Sequence, residues 1–144
     1  MKKGFFISGT DTNVGKTILS AILVNKLNAI YWKPIQCGLN KFGEKDSDVI
    51  KKLCMKKFII SEKFFLKAPL SPNIASKMQN IKILKKDFID FRKKKFSKQL
   101  IVEGAGGLQV PINNNFFVSD LAKFLNLPVI LVCRTKLGTI NHTL

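Results

Sequence analysis

Phe5-Phe6-Ile7-Ser8-Gly9-Thr10-Asp11-Thr12-Asn13-Val14-Gly15-Lys16-Thr17 is the stretch that decides the fold. An apolar, strand-favouring run stops at a glycine, crosses a polar loop and enters a helix through Gly-Lys-Thr. That is the layout of a phosphate-binding loop between a buried strand and a helix N-terminus. Gly15 lets the backbone come close enough for consecutive N–H groups to face phosphate oxygens. Lys16 brings a compact positive charge to the β- and γ-phosphates, and the Thr17 hydroxyl is a ligand for Mg²⁺. The strict spacing places its first glycine at position 10, where this chain has Thr10, and Gly9 lies one residue earlier. An ordinary helix start is the plain alternative. The preceding strand and the following apolar helix favour a nucleoside triphosphate site.

Outward from the loop, strands and helices alternate. A strand is expected over Gly4–Ser8, a heavily buried helix over Thr17–Asn28, and a short strand over Ala29–Trp32 ended by Lys33-Pro34. Asp46-Ser47-Asp48 reads as the capped start of a helix carrying Val49, Ile50 and Leu53. Phe64 to Pro72 reads as a loop, Asn73 to Gln79 as a short helix, and Leu84–Phe96 as an amphipathic helix. Gln99–Val102 is a buried strand ending in Glu103-Gly104-Ala105-Gly106-Gly107. Val118–Leu125 is helical, Pro128–Cys133 is a strand, and Leu137–Leu144 begins another helix. The pattern predicts an α/β fold: a doubly wound, mostly parallel sheet with helices on both faces, in one domain over residues 1–144 that lacks its last units.

Composition narrows the function. The 144 residues are 46% hydrophobic, enough for a core, and no apolar run reaches membrane-spanning length. No signal peptide is read at the start. Cys37, Cys54 and Cys133 are far apart with no CxxC pair, the usage of reduced thiols in a cytoplasmic protein. The net charge of +16 invites a nucleic-acid reading. Only Arg92 and Arg134 are arginine, however, and the lysines are scattered, so a solvated lysine surface is the reading adopted, with no nucleic acid and no membrane as partner.

In such a sheet, ligands sit beyond the C-terminal ends of the strands. Three further segments arrive there. Lys33-Pro34-Ile35-Gln36-Cys37-Gly38 brings a lysine that is either surface charge or a cation for a transferring phosphoryl group. Glu103 ends a buried strand, where a carboxylate needs a partner. A Mg²⁺ on the triphosphate and the amides of Gly104–Gly107 are the two candidates. Asp48 suits a helix cap and a metal ligand equally. Gly138-Thr139-Ile140-Asn141 opens the last helix, either as an anion-binding terminus or with Thr139 as a plain cap. His142 is the single histidine and receives no role.

Together these segments resemble dethiobiotin synthetase, the ATP-dependent ligase family that closes the ureido ring in biotin biosynthesis. The resemblance rests on GTDTNVGKT (Gly9–Thr17), KPIQCG (Lys33–Gly38), SD (Ser47-Asp48), PLSPNIA (Pro69–Ala75), VEGAGGLQVP (Val102–Pro111) and LGTINHTL (Leu137–Leu144), in the family's order. It implies a P-loop nucleotide-binding architecture and a cyclo-ligase forming carbon–nitrogen bonds from 7,8-diaminopelargonate, CO₂ and ATP, with Mg²⁺ as cofactor. A carbamate on one amine attacks the γ-phosphate, and the second amine closes the ring, releasing phosphate. By the same resemblance Lys16 and Lys33 are catalytic. Asn13, Val14, Gly15, Lys16, Thr17 and Ile18, with Glu103, Gly104, Ala105 and Gly106, hold ATP, while Thr17, Asp48 and Glu103 hold Mg²⁺. Thr12 and Cys37 lie near the diamine, and Gly138, Thr139, Ile140 and Asn141 receive its carboxylate from the neighbouring subunit of a homodimer.

Two departures from the family pattern follow. Cys37 stands where Ser or Thr is common, a weak thiol for a good hydrogen-bonding hydroxyl. Family members also continue past Leu144 into segments that supply adenine contacts. The alternatives weighed are a partition-type P-loop ATPase switch, which carries a signature lysine where this chain has Asp11, and an inactive truncated remnant of the synthetase.

Overall fold

The computed structural model describes residues 4–54 and 58–144. In chain order its elements are β1 (Gly4–Gly9), α1 (Lys16–Leu27), β2 (Ile30–Trp32), β3 (Ile35–Cys37), α2 (Asp46–Leu53), β4 (Ile59–Ile60) and β5 (Phe64–Leu66). There follow α3 (Pro72–Met78), a 3-10 turn (Lys85–Phe88), α4 (Ile89–Lys93), β6 (Leu100–Gly107), β7 (Pro111–Asn113), β8 (Phe116–Phe117), α5 (Val118–Leu125), β9 (Val129–Val132) and α6 (Thr139–Thr143). Five strands form one sheet in the order β4-β2-β6-β1-β9, every neighbouring pair parallel. The expected doubly wound α/β architecture is therefore present. Among the described residues no helix is long and apolar enough to cross a membrane.

Alternation along the strands divides the core in two. Phe6, Trp32, Leu100 and Val102 point to one face, where they meet Val118, Leu121, Ala122 and Leu125 of α5 and the ring of Phe88. Ile7, Tyr31 and Ile101 point to the other, against Ala21 and Val24 of α1 and Ile50 of α2. Burial on both faces is why these strands read as continuous apolar runs rather than alternating ones.

Several local expectations are corrected. Ile35–Cys37 and Phe64–Leu66, the latter expected as loop, pair as parallel strands beside the main sheet. β6 does not stop at Val102 but runs through the glycines to Gly107, which pairs with Gly9. The helix expected over residues 84–96 is reduced to a 3-10 turn and five residues of α4. Aromatic contacts account for that: Phe91 stacks on Trp32 with ring centroids 3.5 Å apart. Phe96 returns onto Phe91 at 5.1 Å, so the chain leaves the helix at Lys94. Helix α1 is also less buried than its apolar sequence suggests. It lays Ser20, Ala21 and Val24 on the sheet and leaves Ile18 and Ile22 about half exposed. Small residues at the contact let helix and sheet approach closely, and the outer side then has nothing to cover it.

Phe88 ties the second layer together. It is fully buried and contacts Trp32, Phe64 and Phe116 at centroid distances of 6.4, 6.1 and 6.2 Å. Replacing Phe88 by Ala removes three ring contacts and leaves a cavity, an expected loss of about 3–5 kcal/mol. Guanidinium unfolding of the variant against the native chain measures it, and a loss below about 1 kcal/mol would show that the layer does not rest on this ring.

Candidate active site

The loop after β1 is shaped by two glycines used differently. A Cβ on Gly9 would lie 2.6 Å from Val14 Cγ2 and 3.0 Å from the Asp11 carbonyl oxygen, so the loop folds back over this position only because it is glycine. This is the close approach that the strict spacing assigns to position 10. Gly15 instead needs its conformation: φ is 103°, in the left-handed region, and it forms the N-cap of α1. Asn13, a residue type that tolerates that region, has φ 55°. Thr12, Asn13 and Gly15 are exposed, Val14 and Thr17 are half-buried, and Ile18 lies on the outer side of the first helical turn. Lys16 is buried, and its Nζ donates to the Asp11 carbonyl at 2.6 Å. Burial, and then the nearby Lys33 charge, hold its ammonium below the ordinary lysine value.

The centre of the site is Glu103, 1% exposed. The parallel register pairs Trp32 with Val102. The next residues in line, Lys33 and Glu103, therefore fall side by side where β2 ends and β6 runs on. Lys33 Nζ donates to Glu103 Oε1 at 3.1 Å and to the Gly104 carbonyl at 3.1 Å. Thr17 Oγ1 donates to the same Oε1 at 3.0 Å, and the Tyr31 hydroxyl donates to Oε2 at 2.9 Å. Asp46 closes the group, with Oδ2 at 2.6 Å from Lys33 Nζ. Burial alone would push the Lys33 ammonium down. Glu103 and Asp46 outweigh it and hold the pKa above the ordinary lysine value. Burial, reinforced by the Glu103 charge, drives the Tyr31 hydroxyl well up, so it stays a donor.

Asp46 reaches this point because the loop before it is tied down. Asn40 Oδ1 accepts the N–H groups of Phe42 and Glu44 at 2.9 Å each. Gln36 Oε1 accepts the Asp46 N–H at 3.1 Å, holding the start of α2 against β3. Asp48, expected among the metal ligands, is not brought into the cluster. Its Oδ2 accepts the Lys45 N–H at 3.2 Å, and Oδ1 pairs with Lys51 at 3.2 Å. Residues two apart on a helix are rotated by about 200°, so only one of the two carboxylates can face Lys33.

The other expected residues fall into three groups. Gly104, Ala105 and Gly106 lie in β6, and the Gly104 carbonyl is a direct partner of Lys33. Glu103 is satisfied by the side chains of Thr17, Tyr31 and Lys33 rather than by the amides of Gly104–Gly107. Cys37 is half-buried in β3, and burial pushes its thiol up to about 11. Gly138, Thr139, Ile140 and Asn141 open α6, largely exposed, and none of them bonds to the cluster.

Asp46, Gln36 and Tyr31 were missed in the sequence. Tyr31 carried a signal: it is the one tyrosine, at the end of a buried strand, and a buried hydroxyl needs a partner.

Among the described residues no three His, Cys, Asp or Glu side chains are placed to hold a metal by themselves. The Thr17 hydroxyl nevertheless bonds to the Glu103 carboxylate, and that carboxylate and Asp46 both lie against Lys33 Nζ, which gathers three oxygen-bearing groups beside the phosphate loop. Such a set fits Mg²⁺, which takes one or two carboxylates and completes its shell with phosphate oxygens and water. The Glu103 and Asp46 carboxylates face the Lys33 ammonium directly, and the buried Lys16 ammonium is near enough to act on all three.

Comparison with known proteins places the whole chain among relatives of one kind. The family described as an AAA domain matches residues 3–144. The ATP-dependent dethiobiotin synthetase BioD of Lawsonia intracellularis is 46% identical over 140 residues, 97% of this chain and 66% of that protein. The protein of the same name from Agrobacterium fabrum is 40% identical, covering 100% of this chain and 66% of its own length. That from Fusobacterium nucleatum is 43% identical, covering 99% of this chain and 70% of its own length. The chain thus spans about two thirds of the length of these relatives. By this similarity over its whole length, the chain belongs to the dethiobiotin synthetase family.

Proposed function

We propose that this chain carries the phosphoryl-transfer site of an ATP-dependent dethiobiotin synthetase, closing the ureido ring of dethiobiotin from 7,8-diaminopelargonate, CO₂ and ATP. The observation that carries the reading is the meeting of Thr17, Lys33 and Glu103, from three separate sequence segments, at one buried point beside the phosphate loop. The names of the relatives supply the reaction. The partition-type switch and the inactive remnant have no observation in their favour.

In this reading Asn13–Ile18 receive the triphosphate, with Lys16 released from the Asp11 carbonyl to the phosphate oxygens. Glu103, through the following Gly104–Gly106 backbone, forms the opposite wall. Mg²⁺ would be held by Thr17 and Glu103 with a carboxylate from the start of α2, and would supply charge neutralisation on the phosphates. Lys33, kept cationic by its two carboxylates, faces the transferring phosphoryl group and stabilises the charge that develops there. The substrate carbamate is oriented by the loop at Thr12 and by Cys37. Its oxygen attacks the γ-phosphorus, ADP leaves, and the second amine displaces phosphate from the resulting anhydride. Gly138–Asn141 would take the carboxylate of a diamine bound by a partner copy in a cytoplasmic homodimer.

ADP release from ATP with Mg²⁺, bicarbonate and 7,8-diaminopelargonate tests the reading. The native chain is expected to release ADP only when the diamine is present, and K16A and K33A to lose 100-fold or more. Release independent of the diamine, or undiminished in K33A, would count against it.

Cys37 gives a second check. The thiolate is the reactive form, so a thiol whose pKa is pushed up to about 11 alkylates more slowly than a free thiol at pH 9. Its iodoacetamide rate, followed by mass spectrometry of its peptide, should rise with pH until near 11. A midpoint near the ordinary value would show that Cys37 is not shielded in this way.

A further inference from the structure

The outer side of the phosphate loop is held by a residue that the reaction just described does not use. Thr10 N–H donates to the Val132 carbonyl at 3.0 Å, so β9 runs alongside the start of the loop. Two residues beyond, Arg134 turns back over the loop tip. Its Nη2 lies 2.9 Å from Asp11 Oδ2 and donates to the Thr12 carbonyl at 3.2 Å. The other Asp11 oxygen accepts the Thr12 N–H at 2.6 Å. From the inner side, Lys16 holds the Asp11 carbonyl at 2.6 Å. The Asp11–Thr12 peptide is thus fixed from two directions, by Lys16 within and Arg134 outside.

The two tethers differ in what happens when an anion arrives. Lys16 must leave the Asp11 carbonyl to reach a phosphate, and Arg134 need not move. Arginine also suits the task better than the lysine used almost everywhere else in this chain: its planar, rigid group reaches a carboxylate and a carbonyl together, whereas an ammonium acts as a point charge.

We propose that Arg134, acting through Asp11, is a positioning residue that keeps the tip of the phosphate loop in its binding conformation once Lys16 transfers to the nucleotide. The proposal rests on the nucleotide reading of the loop and adds to it a determinant of affinity supplied from the segment after β9. Both side chains are about half exposed, at 45% and 55%. An exposed pair contributes little to global stability, so its effect is local.

The test combines amide hydrogen exchange of the 9–17 segment, without nucleotide, with the Kd for Mg-ATP. The proteins are the native chain, R134A, R134K, D11N and the D11N/R134A double variant. D11N keeps an oxygen for the Thr12 N–H and removes the charge. Expected are several-fold faster exchange and roughly three- to tenfold weaker ATP binding in R134A and D11N, with the double variant no worse than either single one. R134K should recover part of the loss, and the denaturation midpoint should stay close to native. Unchanged exchange in R134A, or unchanged ATP affinity alongside faster exchange, would overturn the proposal. A native chain that binds no ATP while its variants still exchange faster would sink the nucleotide reading and leave the tether standing.

Discussion

The Lys33 ammonium and the Glu103 carboxylate meet 3.1 Å apart, with side-chain exposures of 5% and 1%. Taking two such charges out of water costs several kcal/mol each, and their attraction offsets this only where the remaining donors and acceptors are also satisfied. Here they are: Thr17 and Tyr31 complete Glu103, while Asp46 and the Gly104 carbonyl complete Lys33. The arrangement depends on β2 lying next to β6 in one register, on α1 starting at the same sheet edge, and on Gln36 holding the first turn of α2. Apolar side chains of similar volume would often be no less stable. Stability alone therefore does not account for these charges; the function proposed for the site does.

The acidic residues as a group show the same economy. Among the described residues, Asp11, Glu44, Asp46, Asp48, Glu62 and Glu103 are in ion pairs. Several of these fasten the segments around the site. Lys45 and Ser47 both bind Glu62, which anchors α2 to the stretch before β5. The lysine surplus lies elsewhere, on the surface. The net charge of +16 is therefore a poor guide to the site, where Glu103 and Asp46 stand against Lys33 and Lys16 in even balance.

Much of the sheet was legible because its strands are buried on both faces, which leaves unbroken apolar runs such as Phe5-Phe6-Ile7 and Leu100-Ile101-Val102. The helix ends at Lys16 and Val118 were legible from local chemistry. β3 and β5 were not, since each is three residues long and exists only through the other. The short α4 was misread because its lysines and phenylalanines have helical spacing, while stacking on Trp32 decides the backbone. At the site, Lys33 and Glu103 stood out as charges at strand ends. Which of Asp46 and Asp48 faces Lys33 depends on how far α2 is rotated about its axis, which the Gln36 contact fixes and no local pattern records.

The parallel sheet also has a consequence for synthesis. Thr17 and Glu103 are 86 residues apart, and Thr12 and Arg134 are 122 apart. At synthesis rates of roughly 5–20 residues per second the phosphate loop leaves the ribosome on the order of 4–17 s before the strand that carries Glu103. During that interval Phe5, Phe6 and Ile7 have no neighbouring strand to pair with. The β1 segment is thus an apolar strand without its sheet partners until β6 emerges, the kind of transient exposure that favours aggregation.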